Sequence, residues 1–145
     1  MKTATVNTSH EIRAILEAAT TIAVVGCSNR PARTSYAIYI YLKANGFVVT
    51  PVNPNHSECD QDKCYPDLLA IPSETRIDII TIFRNPRYTA EMVEIAIQRS
   101  RMTGEKPVIW TQLGVSSPEA DQLAREAGLP YVKNRCIMVE HSRNQ

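Results

Sequence analysis

Val24-Val25-Gly26-Cys27-Ser28-Asn29-Arg30-Pro31-Ala32-Arg33-Thr34-Ser35-Tyr36 is the stretch from which the rest of the chain is read. Thr21-Ile22-Ala23-Val24-Val25 has the β-branched composition of a buried strand. A glycine follows, then a polar loop with two arginines, then Ser35, placed as the N-cap of a helix. Such a loop can aim backbone N–H groups and guanidinium groups at one anion, with the positive end of the next helix behind them. The plainer alternative is a strand-to-helix turn whose glycine is needed only for its backbone angle.

Outward from this stretch, strands and helices alternate. The capping box Thr8-Ser9-His10-Glu11 opens an amphipathic helix with Ile12, Ile15, Leu16 and Ala19 on one face. A helix with Ile38, Ile40, Tyr41 and Leu42 stops at Asn45-Gly46 and leads into a strand, Phe47 to Asn53. Pro51 argues that this strand frays or lies at an edge. After Cys64-Tyr65-Pro66, Asp67 to Ile71 reads as a short helical turn, and Ile77 to Phe83 as a third strand. Thr89 is placed to cap a helix running to Gly104, followed by a fourth strand, Pro107 to Leu113. Ser117-Pro118-Glu119 opens the next helix, and Tyr131-Val132-Lys133 forms the last strand, extending toward Cys136-Ile137.

This alternation means one α/β domain over residues 1–145, a doubly wound five-stranded parallel sheet with helices on both faces. The expected strand order is 3-2-1-4-5, with a ligand crevice at the carboxyl ends of strands one and four. The informative residues should therefore follow strands.

Composition bounds the function. The 145 residues carry 16 basic and 15 acidic side chains, a formal net charge of +1, so no global field recruits nucleic acid or an anionic membrane. An anion site must be local. Met1 to Asn7 has no signal-peptide core, and no apolar run reaches bilayer length, which points to a cytoplasmic protein. The cysteines at 27, 59, 64 and 136 lack the pairing of a disulfide framework, and His56, Cys59 and Cys64 match no structural zinc spacing. Free thiols and no metal are expected.

A nicotinamide dinucleotide is the obvious ligand for this fold, yet the loop lacks G-x-G-x-x-G and the second strand ends in Asn53 rather than an acid. Asn53 tolerates a nearby phosphate where Asp would repel it, which favours a ligand with a phosphorylated ribose. The segments Val24-Val25-Gly26-Cys27-Ser28, Pro51-Val52-Asn53-Pro54, Cys64-Tyr65-Pro66, Phe83-Arg84, Gln112-Leu113-Gly114-Val115 and Asn134-Arg135-Cys136 with Glu140-His141 resemble the small stand-alone CoA-binding domain proteins. These are distant relatives of the CoA-binding domain of the succinyl-CoA synthetase α subunit.

The resemblance implies a Rossmann-like fold with coenzyme A or an acyl-CoA in the switch-point crevice, and it implies no reaction. Carried over by position, the backbone of Gly26, Cys27 and Ser28 lines the pyrophosphate, while Arg33 and Ser35 supply charge and a hydroxyl. Val52, Asn53 and Pro54 border the adenosine, Phe83 and Arg84 lie along its other edge, and Gln112, Leu113 and Gly114 close the crevice. Many relatives have a lysine after the Asn-Pro pair where this chain has Asn55-His56, so the 3′-phosphate contact falls to His56, Arg30 or Arg84.

No catalytic residue is assigned. Cys136, Glu140 and His141 suggest a nucleophile, orienter and base, but structural roles are the simpler reading. Cys27 is either a thiol activated beside the anion site or a small side chain buried beneath the loop. A non-catalytic carrier, sensor or regulatory module is therefore expected, against an enzyme acting on a CoA thioester or through a redox thiol, or an NAD(P)-binding sensor. A homodimer and a protein partner both stay open.

Overall fold

The computed structural model describes residues 5–6 and 8–144. Its elements are β1 (Thr5–Val6), α1 (Ser9–Ala18), β2 (Thr21–Val25), α2 (Thr34–Ala44), β3 (Val48–Val52), β4 (Glu58–Cys59), β5 (Asp62–Lys63), β6 (Ile79–Ile82), α3 (Thr89–Thr103), β7 (Val108–Thr111), α4 (Pro118–Glu126), β8 (Tyr131–Val132) and α5 (Ile137–Arg143). Residues 1–4, 7 and 145, on which part of the N-terminal reading falls, lie outside the described residues.

Alternate residues of the central strands face opposite layers, as the pleat requires. Ile22, Val24 and Ile79 pack with Ile12 and Leu16 of α1, Ile38, Tyr39 and Leu42 of α2, and Ile137 of α5. Ala23, Val25, Ile80 and Ile82 pack with Val93, Ala96 and Ile97 of α3 and Ala120 and Ala124 of α4. Two helical layers thus enclose a parallel sheet, the doubly wound α/β class read from the sequence.

The strand order differs. The sheet runs β1-β8-β7-β6-β2-β3, with every pair parallel. Counted as the sequence was, that is 2-1-3-4-5 with β1 added at the far edge, not 3-2-1-4-5. Ile79–Ile82 pairs directly with β2, in register Ile22↔Ile79 through Val25↔Ile82. Proline explains it. The Pro51 carbonyl accepts from the Tyr65 N–H at 3.1 Å on the outer side of β3, so the side of Pro51 that lacks a donor faces away from β2. An inner position would have placed that gap against another strand.

The switch point therefore lies between β2 and β6, where the chain leaves β2 for one helical layer and β6 for the other. Gly26 turns there with φ +85°, and a Cβ on it would stand 2.1 Å from the Phe83 carbonyl oxygen. Its N–H donates to the Val52 carbonyl at 2.8 Å, so three strand ends converge on it.

Three local expectations are corrected. Arg33, without a side-chain cap, is the N-cap of α2, because Ser35 Oγ is engaged in accepting the Ser28 N–H at 3.0 Å. Tyr88, not Thr89, precedes α3, and Thr89 Oγ1 instead donates to the Val115 carbonyl at 2.6 Å. The last strand stops at Val132, and Cys136 opens the helix α5 rather than extending the sheet.

Gly26→Ala combines a left-handed backbone with a clash against backbone that has no room to retreat. It should lower stability by about 2–4 kcal/mol in urea unfolding. A loss below roughly 0.5 kcal/mol would mean that the β2 and β6 ends part freely.

Candidate functional site

A cleft of about 1190 Å³ opens over the carboxyl ends of β3, β2, β6 and β7. Of the residues singled out in the sequence, Gly26, Ser28, Arg33, Ser35, Asn53, Phe83, Arg84, Gln112 and Leu113 line it. Asn29, Arg30, Ala32, Thr34, Asn55, His56, Asn85 and Val115 join them. Val52 and Pro54 instead line an adjoining slot of about 90 Å³, with Val25, Pro66, Asp67, Leu68, Met92 and Ile95 around it. Gly26 and Arg84 border both spaces. Cys27 and Gly114 line neither.

Three guanidinium groups and His56 stand along the cleft, and no carboxylate is among its described lining residues. Arg84 Nε and His56 Nε2 are buried without a hydrogen-bond partner. Buried polar groups are normally paired, so each of these atoms calls for a partner from outside the chain, a water or a ligand group. Arg84 also lies over the Tyr88 ring, 5.2 Å from its centroid, which holds the guanidinium across the boundary between cleft and slot.

The loop's own backbone is less available than the sequence suggests. The N–H groups of Gly26 and Cys27 both reach the Val52 carbonyl, at 2.8 and 3.3 Å, and that of Ser28 donates to Ser35 Oγ. The Arg30 N–H is taken by Ser28 Oγ at 3.0 Å. What remains for an anion is the uncapped first turn of α2 and the side chains around it. Asn53 is a brace: its Nδ2 donates to the Cys27 carbonyl at 3.0 Å, and its Oδ1 accepts the Asn55 N–H at 2.9 Å.

The slot joins Val52 and Pro54, expected beside the adenosine, to the turn after Pro66 and to Met92 and Ile95 of α3, which were not read as site residues. Its outer wall, from Pro66 to Leu68, is held to α3 by Arg99, a side chain only 4% exposed. Its guanidinium donates to the carbonyls of Leu68, Ile71, Pro72 and Thr75 at 2.7–3.2 Å. The signals in the sequence were an arginine on the apolar side of a helix and the Met92-Ile95 pair, neither of which announces a cavity.

The thiols resolve toward packing. Cys27 is fully buried, its Sγ 3.6 Å from Cys59 Sγ. Burial pushes the Cys27 thiol far up, with Cys59 adding to it, and burial also raises Cys59 and Cys64. The activated thiolate considered for Cys27 is thus overturned by desolvation. The hairpin carrying Cys59 is pinned to α2 by Tyr39, which donates to Asp62 and to the Cys59 carbonyl, and by Lys43, 2.9 Å from Asp62. Cys136, Glu140 and His141 form no triad. Glu140 pairs with Arg135 and Arg143, and His141 Nδ1 bonds the Tyr41 hydroxyl at 2.8 Å. Trp110 is fully buried, donating to the Arg135 carbonyl. Among the described residues no group of three His, Cys, Asp or Glu side chains is placed to hold a metal ion.

Comparison with known proteins is consistent with this geometry. A family model described as a CoA binding domain matches residues 20–142. The chain belongs to that family. It is 33% identical over 132 residues to the uncharacterized protein YneT of Bacillus subtilis, covering 91% of this chain and 93% of YneT. A solved structure of a hypothetical protein from Pyrococcus horikoshii is 40% identical with a TM-score of 0.86, covering 99% of this chain and 97% of that one. Over 63 residues the chain is 40% identical to an ADP-forming acetate–CoA ligase of Archaeoglobus fulgidus, spanning 42% of this chain but 9% of the ligase.

Two outcomes follow from the buried thiols. A thiol-specific alkylating reagent at neutral pH should leave Cys27, Cys59 and Cys64 unmodified in the native protein over a time that labels all of them in denaturant; rapid native labelling of Cys27 would contradict its burial. Because folding raises these thiol pKa values, their contribution to stability is fully present below the unfolded thiol pKa of about 8.5 and is lost as pH rises above it. Urea midpoints should therefore fall above about pH 8.5, and the fall should shrink in Cys27→Ser.

Proposed function

We propose that the protein binds coenzyme A or an acyl-CoA in this cleft and acts as a non-catalytic carrier, sensor or regulatory module. The observation that carries the reading is the carboxylate-free cleft with Arg30, Arg33, Arg84 and His56 around the uncapped start of α2. A ligand with several phosphates satisfies those groups. Membership of the CoA-binding domain family, and likeness to part of an acetate–CoA ligase, support this choice among phosphorylated nucleotides.

The apolar slot beside Arg84 suits a flat base, with Val52, Pro54 and Pro66 as its walls. The residue that follows β3 offers a diol no carboxylate, since Asn53 stands there and braces the loop, and Asp67 on the slot wall is engaged in capping the turn at Ala70. That disfavours a nicotinamide dinucleotide, whose adenosine ribose is usually held by an acid at this point. The lining hydroxyls of Ser28 and Ser35 are engaged with the loop's own N–H groups rather than with His56, which supports binding over chemistry. Four cysteines without a disulfide suit a reducing compartment such as the cytoplasm, and no described helix is long and apolar enough to cross a membrane.

Calorimetric titration with coenzyme A, dephospho-CoA and NAD tests the reading, with coenzyme A expected to bind tightest. Equal or better binding of NAD would sink it. Arg33→Ala removes a charge-assisted contact to phosphate, so coenzyme A affinity should fall roughly 10- to 150-fold while the fold survives. Unchanged affinity would mean that Arg33 faces solvent and that Arg30 or Arg84 carries the anion.

A further inference from the structure

The cleft is polarised from end to end. Its β3 end carries His56, its centre carries Arg30 and Arg33 from the loop after β2, and Arg84 follows β6. Its β7 end is uncharged, formed by Gln112, Leu113 and Val115. Three strand spacings separate β3 from β7, roughly 14 Å at about 4.8 Å per step.

Thr81 Oγ1 is unmatched within the sheet, and the unmatched atoms on the cleft follow the same polarity. Arg84 presents a guanidinium N–H and His56 a ring nitrogen, whereas Gln112 presents an acceptor. The Gln112 side chain is only 8% exposed, it lines the cleft, and its Oε1 has no hydrogen-bond partner. A ligand that satisfies both ends is anionic over β3, β2 and β6 and supplies an N–H or O–H at β7. The backbone there is held in place: the Val115 N–H donates to the Gln112 carbonyl at 3.0 Å, and Thr89 Oγ1 fastens the Val115 carbonyl to the start of α3. Beside Gln112, Leu113 is 62% exposed, an apolar surface at the rim for methylene groups to cover.

We infer that Gln112 is the residue that reads the neutral arm of the ligand, its Oε1 accepting an amide N–H or hydroxyl of the pantetheine portion. This rests on the coenzyme A reading and extends it from the nucleotide to the arm, the part that distinguishes coenzyme A from its nucleotide fragment.

The test compares coenzyme A with adenosine 3′,5′-bisphosphate, which lacks the pantetheine arm, on wild type and Gln112→Leu. Loss of one neutral hydrogen bond should weaken coenzyme A roughly 3- to 10-fold and leave the bisphosphate unchanged. Unchanged bisphosphate affinity also certifies the fold of the variant; should Gln112→Leu not fold, Gln112→Asn, which draws the amide back by one methylene, gives the same selective loss. Equal weakening of both ligands, or of neither, overturns the role of Gln112 while leaving coenzyme A binding intact. If wild type binds neither compound, the coenzyme A reading itself has failed, and the inference with it.

Discussion

Gly26 approaches the Phe83 carbonyl so closely that no Cβ fits between them, and the whole site is organised around that contact. The Phe83 N–H donates to the Val25 carbonyl at 2.8 Å, and the Gly26 N–H donates to the Val52 carbonyl at the same distance. The ends of β6, β2 and β3 are thereby stitched together before their chains diverge. Helices α2 and α3 then leave for opposite layers, and the space between their starts is the cleft. A crevice at this point is a consequence of winding; its chemistry comes from the few residues that follow each strand.

The fold class was legible because buried parallel strands such as Ile79–Ile82 read as continuous apolar runs, and caps such as Thr8 and Ser117 announce their helices. The strand order was legible too, in one residue. Pro51 marked its strand as an edge, while the order 3-2-1-4-5 required that strand to be paired on both sides. Local chemistry and assumed topology disagreed, and the missing N–H decided. The α5 segment was harder, since Cys136 to His141 is too short for its period to separate helix from strand. The Tyr41–His141 contact and the pairing of Glu140 with two arginines are tertiary facts with no local signature.

For the site, position after a strand was the useful signal, and it placed most of the cleft-lining residues. It failed where a cavity is walled by other segments. The slot depends on the 66–68 segment, which Arg99 holds by four carbonyl oxygens from a distant helix. A sequence shows that arginine but not its partners. The same limit applies to Ser35 and Asn53. Both are polar residues at strand or helix ends, where ligand contact and loop bracing demand the same side chains, and here each is engaged within the loop itself.

On the proposed coenzyme A reading, that engagement decides how the site would recognise an anion. A loop whose early N–H groups point at the ligand gains a fixed nest but leaves those groups unpaired when it is empty. Here the N–H groups of Gly26, Cys27 and Ser28 are paired within the protein, and the hairpin beneath is anchored to α2 through Tyr39, Asp62 and Lys43. The floor is therefore preorganised whether or not a ligand is present, so little ordering of backbone is required on binding. On that reading, recognition would pass to the rim, where Arg30 and Arg33 are exposed on long side chains, and to the buried, unmatched atoms of Arg84, His56 and Gln112. The rim supplies adaptable charge that tolerates variation in phosphate placement. The buried atoms would supply selectivity, because a ligand carrying the right partner at each point relieves them.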